Sequence, residues 1–376
     1  MEDEKFIDDF INQYSYTNKD VVNVYYIILP KKSNKPKHVR NKEIIPIHLN
    51  IFTWHQIKKT HKHIENIFLH NIKDQFFLII PFIPKEVRLY WIFYGIEIYK
   101  NPLLMNILDE NSKRIYLELF RARYKYLRLL PINWTKRILI NKEKIRKFIT
   151  GIIINRVDYF CHWNRLDFEI VKQSFPDFKA IFLEFAYDAF NGLPVSNTTT
   201  HNPKPKPEQI TIMIGNCSRL SLNHLTILEY LKQFDQSKFK IICPLSYGDM
   251  DYKDFLKDYA QKIYPNNFLA LEEILPFQEY YDLLSKIDLL IMNSYRTQGG
   301  GNIYIALFMG KKVYMNPKNT YYIYLINSGF FVHSTEKFLQ SSLEEILTPL
   351  NNQQVNHNRF LIREYIKNET GYQNLP

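Results

Sequence analysis

Strand and helix patterns alternate regularly through the second half of this 376-residue chain, and this alternation constrains the fold more than any other feature. Gln209 to Gly215 is a short apolar run that ends in glycine, and leucines at helical spacing follow it. The next apolar runs, separated by helical patterns, lie at 238–246, 287–293 and 311–316. Strands that alternate with helices indicate βαβ units, so the sequence predicts a parallel sheet.

A polar segment, GLPVSNTTTHNPKPKPE, separates this half from the first and has the composition of a linker. The first half has a similar but less regular pattern, with predicted strands at 23–29, 75–83 and 87–95 and predicted helices at 112–126 and 141–148. We therefore expect two α/β domains facing each other across a cleft. The predicted boundaries are 1–191 for the N-terminal domain, 192–208 for the linker, 209–350 for the C-terminal domain, and 351–376 for a helix that returns to the first domain.

Composition excludes several classes of protein. No run of 18 apolar residues is present, and the acidic start, MEDEKFIDDF, is unlike a secretory signal. The cysteines (Cys161, Cys217 and Cys243) are odd in number and lack metal-ligand spacing, so we expect reduced thiols in a cytoplasmic protein. The net charge of +11 favours an anionic partner, which at this point is a nucleic acid, an anionic lipid or a phosphorylated small molecule.

Glycine is scarce, with 11 residues in the chain, yet three lie together at Gly299–Gly301 directly after a predicted strand. A glycine loop that opens a helix presents free N–H groups and the positive end of the helix dipole, which together bind anions. Arg296 just before the loop adds a cation that pairs well with phosphate. The alternative is a tight turn without a ligand, but Arg296 and Gln298 favour phosphate binding.

A second glycine loop, Gly215-Asn216-Cys217-Ser218, also comes after a strand and precedes a helix that Asn223 and His224 open. It is neither a P-loop nor a GxGxxG dinucleotide motif, so the sequence lacks the signatures of an ATPase and of an NAD-dependent dehydrogenase. Tyr247 and Gly248 come after the next strand, where an aromatic ring can stack on a nucleobase. Asp249 to Asp251 spells a DxD motif, but its position favours a helix cap by Asp251 over a metal site.

The stretch from Arg121 to Lys147 carries ten Lys or Arg residues and one acidic residue, Glu143. Aromatic and aliphatic residues lie between the charges, which is typical of a segment in the interface of an anionic membrane. The alternative is a solvated helical face, and no RRM, KH or OB signature supports nucleic-acid binding. The candidate membrane-binding residues are Arg121, Arg123, Lys125, Arg128, Trp134, Lys136 and Arg137.

The second half resembles glycosyltransferase family 56. The resemblance runs through IMIGNCSRLSLNHL, CPLSYG and FQEYYDLLSKIDLLIMNSYRTQGGGNIYIALFMGKKVYMN, and the segment WIFYGIEIY in the first half is similar to a strand-end segment of the family. The chain departs from the family pattern at Arg219-Leu220, at Thr297-Gln298 and at Glu97.

The resemblance implies a GT-B fold with two Rossmann-like domains, the nucleotide sugar on the C-terminal one. It implies an inverting transferase that moves an amino-deoxy sugar, 4-acetamido-4,6-dideoxygalactose in the family, from a dTDP-sugar to a lipid-linked saccharide without a metal. Arg296 and Glu97 are the predicted catalytic residues, Glu97 as the base. The predicted donor-binding residues are Gly215, Asn216, Ser218, Asn223, His224, Tyr247, Gly248, Gln298, Gly299, Gly301 and Asn302.

The partners implied by the resemblance and the charge are a nucleotide-sugar donor, a lipid-linked acceptor and an anionic membrane, with no nucleic acid. We expect a cytoplasmic protein, peripheral on the inner face of the cell membrane. Two alternatives stay open: a GT-B transferase that uses a UDP-sugar and another glycan acceptor, and a non-catalytic basic protein that binds nucleic acid or a lipid surface.

Overall fold

The structure is a computed structural model that describes residues 7–14, 22–30, 33, 35–36, 39–185 and 209–369. The chain divides into two compact units. Unit 1 contains Met1–Asn101, Lys142–Asn191 and Lys367–Pro376, and unit 2 contains Pro102–Asn141 and Gly192–Ile366. The predicted linker, 192–208, lies outside the described residues.

The strands of both units are short and entirely parallel. In chain order they are β1 (Tyr25–Ile28), β2 (Ile44–Ile47), β3 (Asn66–His70), β4 (Arg88–Ile92), β5 (Tyr159–His162), β6 (Ile181–Glu184), β7 (Ile210–Ile214), β8 (Phe239–Pro244), β9 (Phe268–Leu271), β10 (Leu289–Met292), β11 (Lys312–Met315) and β12 (His333–Ser334).

The described α-helices are α1 (Ile7–Tyr14), α2 (Thr53–Thr60), α3 (Ile96–Tyr99), α4 (Glu110–Arg123), α5 (Ile132–Ile154), α6 (Arg165–Ser174), α7 (His224–Leu231), α8 (Met250–Ile263), α9 (Phe277–Lys286), α10 (Gly300–Phe308), α11 (Thr320–Asn327), α12 (Thr335–Phe338), α13 (Leu343–Leu347) and α14 (Asn352–Glu369). Short 3₁₀ helices lie at Asp74–Leu78, Ile80–Phe82, Lys125–Leu129, Leu220–Leu222 and Gln236–Lys238.

Unit 2 contains a six-stranded sheet in the order β12-β11-β10-β7-β8-β9. Numbered within the unit, this order is 6-5-4-1-2-3, that of a doubly wound Rossmann-type sheet. Strand order reverses between β7 and β10, which are hydrogen-bonded neighbours. Ile212, Ile241 and Ile291 are fully buried within this sheet, as expected for strands covered on both faces. In such sheets ligands bind outside the carboxyl ends of the strands at the switch point.

Unit 1 contains a four-stranded sheet in the consecutive order β3-β4-β5-β6, together with the separate pair β1-β2. Aromatic residues fill its interior. Trp91 on β4 and Phe160 on β5 are fully buried and meet edge to face at a centroid distance of 5.2 Å. Tyr90 and Tyr159 stack on the other face of the same two strands at 4.5 Å. The chain has 27 Phe and 27 Tyr residues, and in this sheet such side chains serve packing.

The α/β class with parallel sheets is confirmed, whereas one predicted strand is wrong. The run at 75–83 forms two 3₁₀ helices, Asp74–Leu78 and Ile80–Phe82. Pro81 and Pro84 interrupt this segment, and proline cannot donate to a sheet ladder. The sequence also missed the short strands β2, β3, β5, β6, β9 and β12.

The predicted boundaries of the first domain differ from those of the structure because residues 102–141 belong to unit 2. The Asp109 N–H donates to Asn223 Oδ1 at 3.0 Å, and α4 begins at this point. The last helix, α14, belongs to unit 2 up to Ile366, and unit 1 takes up the chain again from Lys367. Within unit 2, Asn358 exchanges two hydrogen bonds with the backbone of Phe331, at 2.8 and 3.2 Å.

Candidate active site

Three loops at the carboxyl edge of the unit 2 sheet carry the predicted donor-binding residues, and hydrogen bonds join them. Asn216, after β7, donates from Nδ2 to the hydroxyl of Tyr247, after β8, at 2.9 Å. Gln298, after β10, donates to Asn216 Oδ1 at 3.1 Å and accepts from the Ser221 hydroxyl at 3.2 Å. The loops on the two sides of the switch point therefore form one hydrogen-bonded assembly.

The backbone joins the first two loops directly. The Ser218 N–H donates to the Tyr247 carbonyl at 2.8 Å, and the Asp249 N–H donates to the Ser218 carbonyl at 2.8 Å. Ser218 and Gly248 thereby form an isolated parallel bridge beyond the ends of β7 and β8. Because its buried hydroxyl also donates to the Tyr247 carbonyl, Ser218 holds the backbone of Tyr247 rather than facing solvent.

Gly299 is the N-cap of α10 and has a left-handed backbone, with φ of +69°. A Cβ atom there would lie 2.5 Å from Met292 Cε and 3.2 Å from Asn216 Cγ, so glycine alone fits without rearrangement. The helix begins at Gly300, inside the glycine loop, and its first N–H groups lack partners within the helix. This end of α10 therefore presents backbone N–H groups beside Asn216, the arrangement in which helix N-termini accept anions.

Gly215 is also left-handed, with φ of +71°, and His224 explains why it must be glycine. A Cβ atom at 215 would lie 2.5 Å from His224 Nε2. The imidazole is fully buried, with Nδ1 3.1 Å from the Tyr252 hydroxyl, and burial lowers the pKa of His224 to about 3. The structure therefore places His224 as a neutral group beneath the loop, in contact with Gly215.

Two guanidinium groups lie close to the loops. Arg296 is buried, and its backbone carbonyl accepts from Asn319 Nδ2 at 2.8 Å. Burial raises the pKa of the Cys217 thiol, and the positive charges of Arg219 and Arg296 oppose that shift. Both cations are therefore within electrostatic range of Cys217, which comes directly after Asn216 in the chain. Arg219 is a second cation at this edge to which the sequence assigned no role.

Buried asparagines hold the loops in place, and the sequence missed most of them. Asn223 is fully buried in a left-handed conformation, with φ of +50°, and donates to the Asn293 carbonyl at 3.0 Å. Asn293 Oδ1 accepts from Asn316 at 2.9 Å and from Thr335 at 3.0 Å. A Met-Asn pair ends both β10 and β11, and this repeated pair is the signal that points to Asn293 and Asn316.

The remaining predicted donor residues lie on α10. Asn302 donates from Nδ2 to the Tyr280 hydroxyl on α9 at 2.8 Å, so its amide is held within the unit. Nothing lies within 4 Å of the position that a Cβ atom of Gly301 would occupy. Gly301 therefore leaves open space beside the first turn of α10, whereas Asn302 fixes the helix against α9.

In unit 1, Glu97 lies on α3, just after the carboxyl end of β4. It is 1% exposed, and its Oε1 accepts from Trp91 Nε1 at 3.1 Å and from the Tyr94 N–H at 3.0 Å. Oε2 is buried with no hydrogen-bond partner among the described residues. Burial raises the pKa of Glu97 to about 7, and the hydrogen bonds from Tyr94 and Trp91 limit the rise.

The basic stretch is partly engaged inside unit 2. Arg123 pairs with Asp251 at 2.6 Å and Asp249 at 3.5 Å, and Arg121 donates to the carbonyls of Arg128 and Leu130. Asp249, not Asp251, caps α8, two residues from the predicted position. The exposed members of the predicted membrane-binding set are Arg123, which is held in these ion pairs, and Arg128, Trp134, Lys136 and Arg137. The side chain of Lys125 lies outside the described part of the structure.

Solved structures with the same architecture are glycosyltransferases of the GT-B class. Sucrose-phosphate synthase from Thermosynechococcus elongatus superposes with a TM-score of 0.61 at 9% identity, covering 92% of this chain and 86% of that one. WaaG, a glycosyltransferase involved in lipopolysaccharide biosynthesis, gives 0.52 at 10% identity, covering 94% and 88%. HepE from Anabaena, in complex with UDP, gives 0.51 at 10% identity, covering 87% and 82%. The chain therefore has the GT-B fold.

The family model described as "4-alpha-L-fucosyltransferase glycosyl transferase group 56" matches residues 162–370, more than half of the chain. The chain belongs to this family and is a glycosyltransferase. The resemblance seen in the sequence is thus confirmed, and the non-catalytic alternative falls. A nucleotide-sugar donor and a saccharide acceptor follow from the family.

Proposed function

We propose that this glycosyltransferase moves an amino-deoxy sugar of the 4-acetamido-4,6-dideoxygalactose type from a dTDP-sugar to an undecaprenyl diphosphate-linked saccharide, with inversion, in bacterial surface polysaccharide synthesis. One observation carries the donor half of the proposal: at the switch point, Arg296 precedes an αL glycine that opens α10. The family description as a fucosyltransferase supports a 6-deoxyhexose. The sequence resemblance supports the lipid-linked acceptor.

In this proposal the donor diphosphate lies against the first turn of α10. Its charge grows as the anomeric C–O bond breaks and the electron pair leaves with the nucleoside diphosphate. Backbone N–H groups of Gly299 and Gly301, together with the Arg296 and Arg219 guanidinium groups, stabilise that charge. No metal is required for this step, so transfer should persist in the presence of EDTA. Tyr247, 45% exposed, is in position to stack on the base.

A thermal-shift series with nucleotides tests the donor. A ligand that binds only the native state stabilises it by about 2.7 kcal/mol at about 100 times its Kd. We expect dTDP and dTDP-sugars to raise Tm in a concentration-dependent manner, and UDP, ADP and GDP to raise it much less. Transfer to the lipid-linked acceptor is then followed as release of dTDP. No shift with any nucleotide would contradict the proposed donor site.

A UDP-sugar donor is the specific alternative. The structure of HepE, which shares the fold, was determined in complex with UDP. The bases of dTDP and UDP differ by one methyl group, and an apolar contact with that methyl discriminates by only about 1–3 kcal/mol. The nucleotides differ further by the 2′-hydroxyl of UDP. If UDP-sugars shift Tm as strongly as dTDP-sugars, and a UDP-sugar is the better substrate, this second function replaces the first.

We also propose that unit 2 docks on an anionic membrane surface, which would place the protein in the cytoplasm as a peripheral protein of the inner face. No described helix combines the length and the apolar run needed to cross a bilayer. The surface around the start of α5 exposes large apolar groups, with Tyr126 66%, Leu129 89% and Trp134 64% exposed. Arg128, Lys136 and Arg137 are exposed beside them. Apolar side chains flanked by cations suit an anionic interface.

Vesicle sedimentation separates the two contributions to docking. Leu129→Ser with Trp134→Ser should weaken binding to phosphatidylcholine vesicles that contain phosphatidylglycerol, at any salt concentration. Lys136→Gln with Arg137→Gln should weaken it at low salt only, because salt screens surface charge. The matched control is Lys240→Gln, an exposed lysine on β8. Unchanged binding by both pairs would exclude this surface.

A further inference from the structure

A buried histidine–aspartate pair lies at the carboxyl edge of the unit 1 sheet. His162 is the last residue of β5, and its Nε2 lies 2.9 Å from Asp167 Oδ2 in the first turn of α6. Asp167 is fully buried, whereas the His162 side chain keeps 9% of its surface exposed. The pair therefore connects a buried carboxylate to an imidazole at the sheet edge.

The fold holds this pair rigidly. β5 lies between β4 and β6, with hydrogen bonds on both sides, so the backbone of His162 is fixed. The Asn164 side chain caps α6 by accepting from the Leu166 N–H at 3.0 Å, and this cap places Asp167 in the first turn. Phe93 meets the imidazole edge to face at a centroid distance of 5.1 Å. The imidazole is therefore oriented by both packing and its hydrogen bond to Asp167.

The hydrogen bond assigns the protons of the neutral ring. A carboxylate only accepts, so Nε2 must carry the proton that it donates to Asp167. Nδ1 then presents its lone pair, and the described part of the chain gives it no hydrogen-bond partner. An imidazole whose second nitrogen donates to a buried carboxylate is the arrangement in which histidine accepts a proton, because the carboxylate stabilises the imidazolium that forms.

We propose that His162 is the general base of the transfer reaction and that Asp167 positions it. This inference rests on the proposed function. The acceptor hydroxyl gives its proton to Nδ1, its oxygen bonds to the anomeric carbon, and the bond to the donor diphosphate breaks. The electron pair of that bond leaves with the nucleoside diphosphate, so atoms and charges balance without a co-reactant.

Glu97, the base that the sequence predicts, is less suited to the role. Its Oε1 is occupied by two donors, Trp91 and Tyr94, and the residue is almost fully buried. These contacts hold the chain after β4, where Gly95 has φ of +89° and caps α3. Glu97 is therefore assigned to holding this turn, and His162 to proton transfer.

The test compares kcat, donor KM and the donor-induced rise in Tm for His162→Gln, Asp167→Asn and Glu97→Gln. We expect His162→Gln to lower kcat by about 10²–10⁴-fold. Donor KM and the Tm rise should stay within about twofold of wild type, because the donor binds unit 2. Asp167→Asn should also lower kcat while leaving donor KM and the Tm rise unchanged. An amide can donate to Nε2 of His162, and the ring would then carry its proton on Nδ1, where it cannot accept one. His55→Gln, an exposed histidine on α2, is the matched control.

A second variant keeps the proposal testable if the buried substitutions impair folding. In His162→Ala, added imidazole should restore part of kcat, an effect that a purely structural histidine would not show. The proposal is overturned if His162→Gln retains wild-type kcat, or if kcat falls only in Glu97→Gln. Failure of the donor to raise Tm in the wild-type protein would instead count against the proposed function, so the two failures are distinguishable.

Discussion

The two parallel sheets carry different chemistry at their carboxyl edges. The unit 2 edge presents glycines, asparagines and arginines: Gly299 opens a helix, and Arg296 and Arg219 lie nearby. The unit 1 edge presents titratable side chains, namely Glu97 and the His162–Asp167 pair. Among the described strands, only those of the unit 2 sheet reverse their order, and in doubly wound sheets this reversal opens the crevice that a nucleotide occupies.

The difference shows that one kind of strand edge supports two tasks when the residues at the strand ends differ. Backbone N–H groups and guanidinium ions hold an anion without exchanging protons with it. Carboxyl and imidazole groups, in contrast, are able to exchange protons with a substrate, and burial raises the pKa of the Glu97 carboxyl. The two proposals therefore put anion binding at the unit 2 edge and acid–base chemistry at the unit 1 edge, and substitutions at each edge test them separately.

Among substitutions at the unit 2 edge, the largest effect is expected for Arg296→Ala. Loss of a group that stabilises the charge of the leaving diphosphate should lower kcat/KM by about 10²–10³-fold and abolish most of the donor-induced rise in Tm. Steady-state kinetics with the donor varied would measure the loss. Arg114→Ala, an exposed arginine on α4 of the same unit, should leave kcat/KM unchanged. Equal kcat/KM for both variants would mean that Arg296 has no role in binding the anion.

Glu97→Gln tests the acid–base character of unit 1 through stability. Because burial raises the pKa of Glu97 from 4.5 to about 7, the folded state favours the protonated carboxyl. The contribution of the protonated carboxyl to the free energy of unfolding is fully present below about pH 4.5 and is lost as pH rises through about 7. Glutamine cannot ionise. As pH rises across this range, the free energy of unfolding of the variant should therefore increase by about 3 kcal/mol relative to that of the wild type, at 1.36 kcal/mol per pKa unit.

Denaturant unfolding at several pH values measures this difference. Glu86→Gln, an exposed residue of unit 1, should give a curve parallel to wild type. If the unfolding free energy of Glu97→Gln also varies with pH in parallel with wild type, ionisation of Glu97 does not destabilise the folded state. The contrast between the two edges would then rest on His162 and Asp167 alone.

Much of unit 2 could be predicted from the sequence because β7, β10 and β11 are apolar runs followed directly by glycine or asparagine. The same reasoning failed for residues 102–141, whose place in unit 2 depends on contacts over long sequence separations. Arg123 pairs with Asp251, 128 residues away. The His162–Asp167 pair was missed for a related reason. A histidine five residues before an aspartate does not by itself predict a contact, and it is the turn from β5 into α6 that brings the two side chains together.

The smallest effect is expected for a substitution that tests whether backbone geometry, rather than a side chain, gives the unit 2 edge its affinity for the donor. Gly299→Ala puts a Cβ at φ of +69° and 2.5 Å from Met292 Cε. A left-handed alanine costs about 1–2 kcal/mol, and the cap of α10 must shift, so we expect lower stability and weaker donor binding.

Gly300→Ala, one residue on, places its Cβ 3.6 Å from the Tyr321 ring, an ordinary contact. It should stabilise the helix by up to about 1 kcal/mol. Thermal unfolding with and without dTDP measures both, and equal donor binding by the two variants would show that the αL cap is not needed to hold the diphosphate.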